Sequence, residues 1–168
     1  LIATSVLIAE DGVFYVGQAQ RVGGDVLGVA RRHPPGYPVL LWAAHRAAGV
    51  ITDGDSALLW ARLSQGATLL CRLLALIPLY FLGKRLAGAE RSFWAILILI
   101  VLPYPAQYGV DVLREWPYVL LLSLGFWLVY RGLETRRLWL FGPAGLVAAA
   151  GVWIQPTSAQ LVLYGLLG

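Results

Sequence analysis

Apolar residues in this chain run in long blocks separated by short polar turns, the pattern of helices surrounded by lipid. Leu1–Ala9 is an apolar stub that reads as the end of a first span. Ala57–Gly83 is interrupted only by Arg62, Ser64, Gln65, Thr68 and Arg72, and it is long enough to cross a bilayer with tilt. Further spans are predicted over about 93–107, ending at Pro103 and Pro105 where backbone donors are lost, then 117–130 and 138–154, with a partial sixth over 158–168. The fold class is therefore all-α, a polytopic transmembrane helix bundle forming one domain over 1–168. Residues 10–56 form a long loop between the first two spans. Within it, Gly12–Arg21 and Val39–Ala48 are short amphipathic pieces on either side of His33-Pro34-Pro35-Gly36-Tyr37-Pro38. Such pieces suit the membrane interface or pack on neighbouring helices. Asp53-Gly54-Asp55-Ser56 reads as a turn followed by a helix N-cap.

Composition agrees with a lipid environment. Of 168 residues, 59% are apolar and 13% charged, about half the charge that a water-exposed surface of this size carries. A disordered tail and an ordinary soluble domain are excluded. The lone Cys71 lies in an apolar run, which rules out an internal disulfide framework and a cysteine zinc site. Because the chain begins and ends within apolar stretches, it reads as a piece of a longer polytopic membrane protein.

The net charge of +4 is distributed by loop, not gathered on one face as nucleic-acid binding requires, so nucleic acid is not an expected partner. The short loops Lys84–Arg91 and Arg131–Arg137 hold six basic residues in 15, whereas residues 10–56 and 103–116 hold five in 61, together with seven of the nine acids. Basic residues in short loops stay cytoplasmic. The long first loop is then extracytoplasmic.

Candidate chemistry gathers on that outer side. Glu10-Asp11 stands where the first span leaves the membrane, where partial desolvation suits a general base, and Tyr15 follows one helical turn later. The competing reading is an acid pair that only marks a helix end. Asp111, Arg114 and Glu115 have helical spacing and form either a structural ion pair or one functional acidic and basic patch. Arg62 is expected to snorkel. Arg72, nearer mid-membrane, calls for a protein partner. His33 and His45 lack metal-ligand spacing and read as structural, with His33 beside Pro34-Pro35 within reach of a substrate.

The succession Glu10-Asp11-Gly12-Val13-Phe14-Tyr15-Val16-Gly17-Gln18-Ala19, His33-Pro34-Pro35-Gly36-Tyr37-Pro38, Ala61-Arg62-Leu63 and Leu79-Tyr80-Phe81-Leu82-Gly83-Lys84-Arg85-Leu86-Ala87-Gly88 resembles C-type membrane glycosyltransferases. More narrowly, it resembles the group containing dolichyl-phosphate-mannose protein mannosyltransferases and lipid A aminoarabinose transferases. The resemblance implies transfer of a sugar, with inversion, from a polyprenyl-phosphate carrier to an extracytoplasmic glycan, lipid or protein acceptor. It implies a multi-pass protein of a bacterial inner or plasma membrane. Asp11 takes the place of the catalytic acid with Glu10 as its neighbour, and Tyr15, His33, Asp111, Arg114 and Glu115 take substrate-binding places. A divalent cation is a possible cofactor. Gln155-Pro156-Thr157 departs from the Arg-Pro-Glu expected there, which implies altered donor handling or loss of activity. The rival class is a membrane transporter or noncatalytic scaffold whose charges serve as gates.

Overall fold

The computed structural model describes residues 10–50, 56–102 and 111–159, which form helices and turns with no strand among the described residues. In order these are α1 (Glu10–Arg32), α2 (Gly36–Ala48), α3 (Ala57–Ala87), α4 (Ala89–Val101), α5 (Glu115–Thr135) and α6 (Phe141–Ile154), with 3-10 turns at Leu138–Leu140 and Pro156–Ala159. The partial spans expected over 1–9 and 160–168, the turn at Asp53–Asp55 and the prolines at 103 and 105 lie outside the described residues.

α3 begins where Ser56 Oγ accepts a hydrogen bond from Leu59 N–H at 3.2 Å, the N-cap expected from the sequence. It continues for 31 residues, about 46 Å, and ends at Gly88, whose φ of +91° suits glycine alone. α4 starts at the next residue and turns back along α3. Their close approach depends on Gly83, where a Cβ would lie 2.6 Å from Ser92 Oγ, and Ser92 Oγ donates to Tyr80 O at 2.8 Å. α5 ends at Arg136, which takes the left-handed conformation (φ +53°) while Arg137 N–H closes onto Gly132 O at 3.1 Å. Small residues at one-turn spacing, Ala144, Ala148 and Gly151, form the buried face of α6.

α3 is polar inward and apolar outward. Ser64, Gln65, Thr68 and Arg72 are buried, while Leu70, Leu73, Leu74, Ile77 and Phe81 are exposed. A helix in water inverts this arrangement, so these apolar faces fit hydrocarbon. α3 and α5 are both long and apolar enough to cross a membrane. The described parts of the other two expected spans are shorter: α4 has 13 residues and α6 has 14, about 20 Å each.

Two features of the first loop differ from expectation. The piece expected over Gly12–Arg21 extends in both directions and breaks at Asp25 (φ −148°, ψ 68°), whose Oδ1 accepts from Gly28 N–H at 2.8 Å and so caps a second helical piece. The break folds α1 back on itself. The rings of Phe14 and His33 lie 4.9 Å apart, whereas 19 residues of straight helix would separate them by about 28 Å. Second, both α1 and α2 pack inward: Ala19, Tyr37 and Leu41 join Trp60, Val112 and Ile154 in a buried cluster. α1 also keeps an apolar outside, with Val13, Phe14, Val26 and Leu27 exposed.

Arg72 has the protein partners expected of a charge at that depth. Its Nη2 donates to Leu99 O at 3.2 Å, and its guanidinium lies 5.2 Å from the Trp116 ring centre. Arg62 is exposed and Cys71 is buried, both as expected.

Candidate active site

The core cluster described above lies beneath a set of charged and aromatic side chains from α1 and from the start of α5. Tyr37 anchors it. Thr68 Oγ1 donates to Ser64 O at 3.0 Å, so its hydroxyl proton is used, and the 2.8 Å contact between Tyr37 and Thr68 has Tyr37 as donor. The Tyr37 ring meets Tyr15 edge-on at 5.0 Å; Tyr15 meets Phe14 at 5.6 Å, and Phe14 meets His33. This chain of rings runs from the buried face of α3 outward to an exposed histidine. His45 stacks on Trp60 at 3.7 Å and fastens α2 to α3, the structural role expected of it.

Tyr15 is where the two charged segments meet. Burial raises the pKa of its hydroxyl above the ordinary phenol value; Arg114 pulls it back, and Glu115 and Asp11 push it further up. Asp11, Arg114 and Glu115 are thus electrostatic neighbours of one hydroxyl although about 100 residues separate them in sequence. Burial raises the Tyr37 hydroxyl as well.

Glu10 and Asp11 are exposed in the first turn of α1, while burial of Asp111 pushes its carboxyl above the usual range. One expectation needs correction: Asp111, Arg114 and Glu115 are not neighbours on one helical turn. Asp111 lies in a tight bend, with Leu113 N–H on Asp111 O at 2.9 Å, and the helix begins only at Glu115 with Arg114 as its N-cap. Val112 is fully buried, and the bend turns this segment into the core.

Among the described residues no group of three His, Cys, Asp or Glu side chains is placed to hold a metal ion, so the carboxylates present do not form a cation shell. Beside the aromatic cluster an apolar groove of about 400 Å³ runs between α2, α3, α5 and α6, with Leu40, Cys71, Leu121 and Trp153 among its walls. Sequence reasoning missed the Tyr37–Thr68 bond and the Arg72–Trp116 contact. The signals available were a tyrosine between two prolines' worth of turn and a lone arginine in a span.

An all-helical membrane protein with an acid, arginine and tyrosine cluster at one end of its bundle is the class these features define. The chain belongs to the dolichyl-phosphate-mannose-protein mannosyltransferase family, whose model matches residues 32–167, and so to the C-type membrane glycosyltransferases. Neither a curated protein nor a solved structure matches it. The match contains His33, Asp111, Arg114 and Glu115 and begins beyond Glu10, Asp11 and Tyr15.

Proposed function

We propose that the acid-bearing end of the bundle faces out of the cytoplasm in a multi-pass protein of a bacterial inner or plasma membrane, and there transfers a sugar from a polyprenyl-phosphate carrier with inversion. What supports this reading is that Tyr15, packed edge-on against the buried Tyr37 at 5.0 Å, carries a hydroxyl on which the charges of Asp11, Arg114 and Glu115 all act. Asp11 takes the proton of the acceptor hydroxyl as its oxygen attacks the anomeric carbon from the face opposite the carrier. The bond from that carbon to the phosphate oxygen breaks, and the electron pair leaves with polyprenyl phosphate. Arg114, beside the amino-terminal end of α5, offsets the charge on the departing phosphate. Glu10 supports the charge of the first turn, and Tyr15, His33, Asp111 and Glu115 contact sugar or acceptor. The apolar groove below holds the first isoprene units.

The test is transfer by the intact protein from a radiolabelled polyprenyl-phosphate sugar to glycan, lipid or protein acceptors, with the anomeric configuration of the product determined. Inverted product supports the proposal. Retained configuration overturns the single-displacement role of Asp11. Uptake of a solute into proteoliposomes without any lipid-linked donor, together with no transfer, favours the transporter reading.

A further inference from the structure

At the opposite end of the bundle, α3 and α5 frame a groove of about 340 Å³ lined by Phe81, Lys84, Arg85, Trp127, Tyr130 and Arg131. Its aromatic wall is Phe81 against Trp127 at 6.0 Å with Tyr130 beside them, and both Phe81 and Tyr130 are partly open to the surroundings. Its charge is organised by Glu134. One carboxylate oxygen takes Arg85 at 2.9 Å and the other takes Arg131 at 3.1 Å, which gathers two guanidiniums and neutralises one. Lys84, in the last turn of α3 where the helix carbonyls favour cations, adds a third positive group. The groove therefore keeps a surplus of positive charge.

Three features together select a ligand. Surplus positive charge selects an anion; rings at a helix end occupy the headgroup level of a bilayer; and the exposed apolar faces of α3 and α5, including Ile77 and Phe126, lead from the groove into hydrocarbon. A free anion would have no use for the aromatic wall or for the apolar faces below it.

We propose that this groove binds the headgroup of an anionic phospholipid of the phosphatidylglycerol type, in the leaflet that meets the Lys84–Arg91 turn. The phosphate lies among Lys84, Arg85 and Arg131, and the glycerol backbone rests on Phe81, Trp127 and Tyr130. The proposal requires only that α3 and α5 cross a membrane. It is independent of the transferase reading, because its readout is lipid retained and not sugar transferred.

The experiment reconstitutes the intact protein in nanodiscs of phosphatidylcholine containing a minor share of phosphatidylglycerol, extracts it, and measures retained lipid by native mass spectrometry. Wild type should retain phosphatidylglycerol preferentially. Lys84→Gln and Arg131→Gln should each lower that preference about fivefold, the effect of one cation near an anionic surface. Glu134→Gln should raise it, since the competing carboxylate charge is gone, whereas a purely structural ion network would make Glu134→Gln neutral or harmful to retention. Arg46→Gln, which removes a cation held at Trp42 on α2 and away from the groove, should leave the preference unchanged. Equal retention of both lipids by wild type, a loss with Arg46→Gln as large as that with Lys84→Gln, or the absence of a rise with Glu134→Gln would each overturn the proposal. Displacement of the lipid by millimolar inorganic phosphate would overturn the lipid as occupant in favour of a free anion; retention unaffected by phosphate supports it.

Discussion

At the acid-bearing end, Tyr37 is 1% exposed and its hydroxyl is bonded within the core, whereas at the basic end Leu86 is 85% exposed and the charges pair across partly open surface. The two ends are assembled differently. The basic end is made of local turns: one glycine, Gly88, separates α3 from α4, and a short link joins α5 to α6. The acid-bearing end joins residues far apart in sequence, through a helix folded back at Asp25 and a bend at Asp111. Local turns hold a surface charge at low cost in chain ordering, and a chemical site requires long-range packing to hold its groups in relation to one another.

The strongest way to break this comparison is to remove one charge from each end. Asp11→Asn should lower transfer by the intact enzyme roughly a hundredfold to ten-thousandfold, the range of a general base, with unchanged expression and melting. Glu10→Gln should cost far less, and Glu134→Gln at the other end should leave turnover at the wild-type level. Should Asp11→Asn keep full activity while Glu10→Gln loses it, their roles are exchanged; if neither matters, the pair only ends a helix.

A second comparison concerns packing. At Gly36 a Cβ would lie 2.7 Å from the Trp153 carbonyl carbon, a backbone atom that cannot move alone, whereas at Gly132 it would meet the edge of the Phe141 ring at 3.0 Å. Gly36→Ala is expected to destabilise by about 1–3 kcal/mol and Gly132→Ala by less, since a ring can tilt. Unfolding of the purified protein in detergent measures both, and equal costs would remove the distinction between a rigid acid-bearing end and a more adaptable basic one.

The buried acid adds a pH dependence confined to the acid-bearing end. Asp111 has its folded-state pKa raised by burial above the unfolded value of about 3.9. Its proton is thus held more tightly in the folded chain, so this group's contribution to stability is complete below about 3.9 and is lost as pH rises through the raised value. Asp111→Asn should flatten that part of the stability profile. A mutant profile parallel to wild type would show that Asp111 is not the group responsible.

The smallest effect belongs to the basic end. Arg85, Glu134 and Arg131 are partly exposed, so Glu134→Gln should change stability by roughly 0.2–1 kcal/mol, and less in high salt. A larger loss that persists in high salt would mark this network as structural.

Several elements were legible in the chain itself. Ser56 caps α3, Arg72 found partners, Cys71 is buried, and α2, α3, α5 and α6 fall within a few residues of the stretches expected for them. The site was legible only as two separate polar clusters. Its residue types were visible at Asp11, Tyr15, Arg114 and Glu115, but the burial of Asp111 was not, because helical spacing from Asp111 to Glu115 does not reveal a bend.

The all-helical class, the lipid-facing composition and the separation of basic from acidic turns were determined by the sequence alone, because hydropathy and charge add up along stretches of about 20 residues and need no partner. Tertiary structure alone decided that α1 reverses at Asp25, that the charges of Asp11 on α1 and of Arg114 and Glu115 at the start of α5 act on one hydroxyl at Tyr15, and that Tyr37 donates to Thr68. Such contacts depend on a single backbone break and on how helices cross, and a shift of one residue in either would separate the groups while leaving every local pattern unchanged.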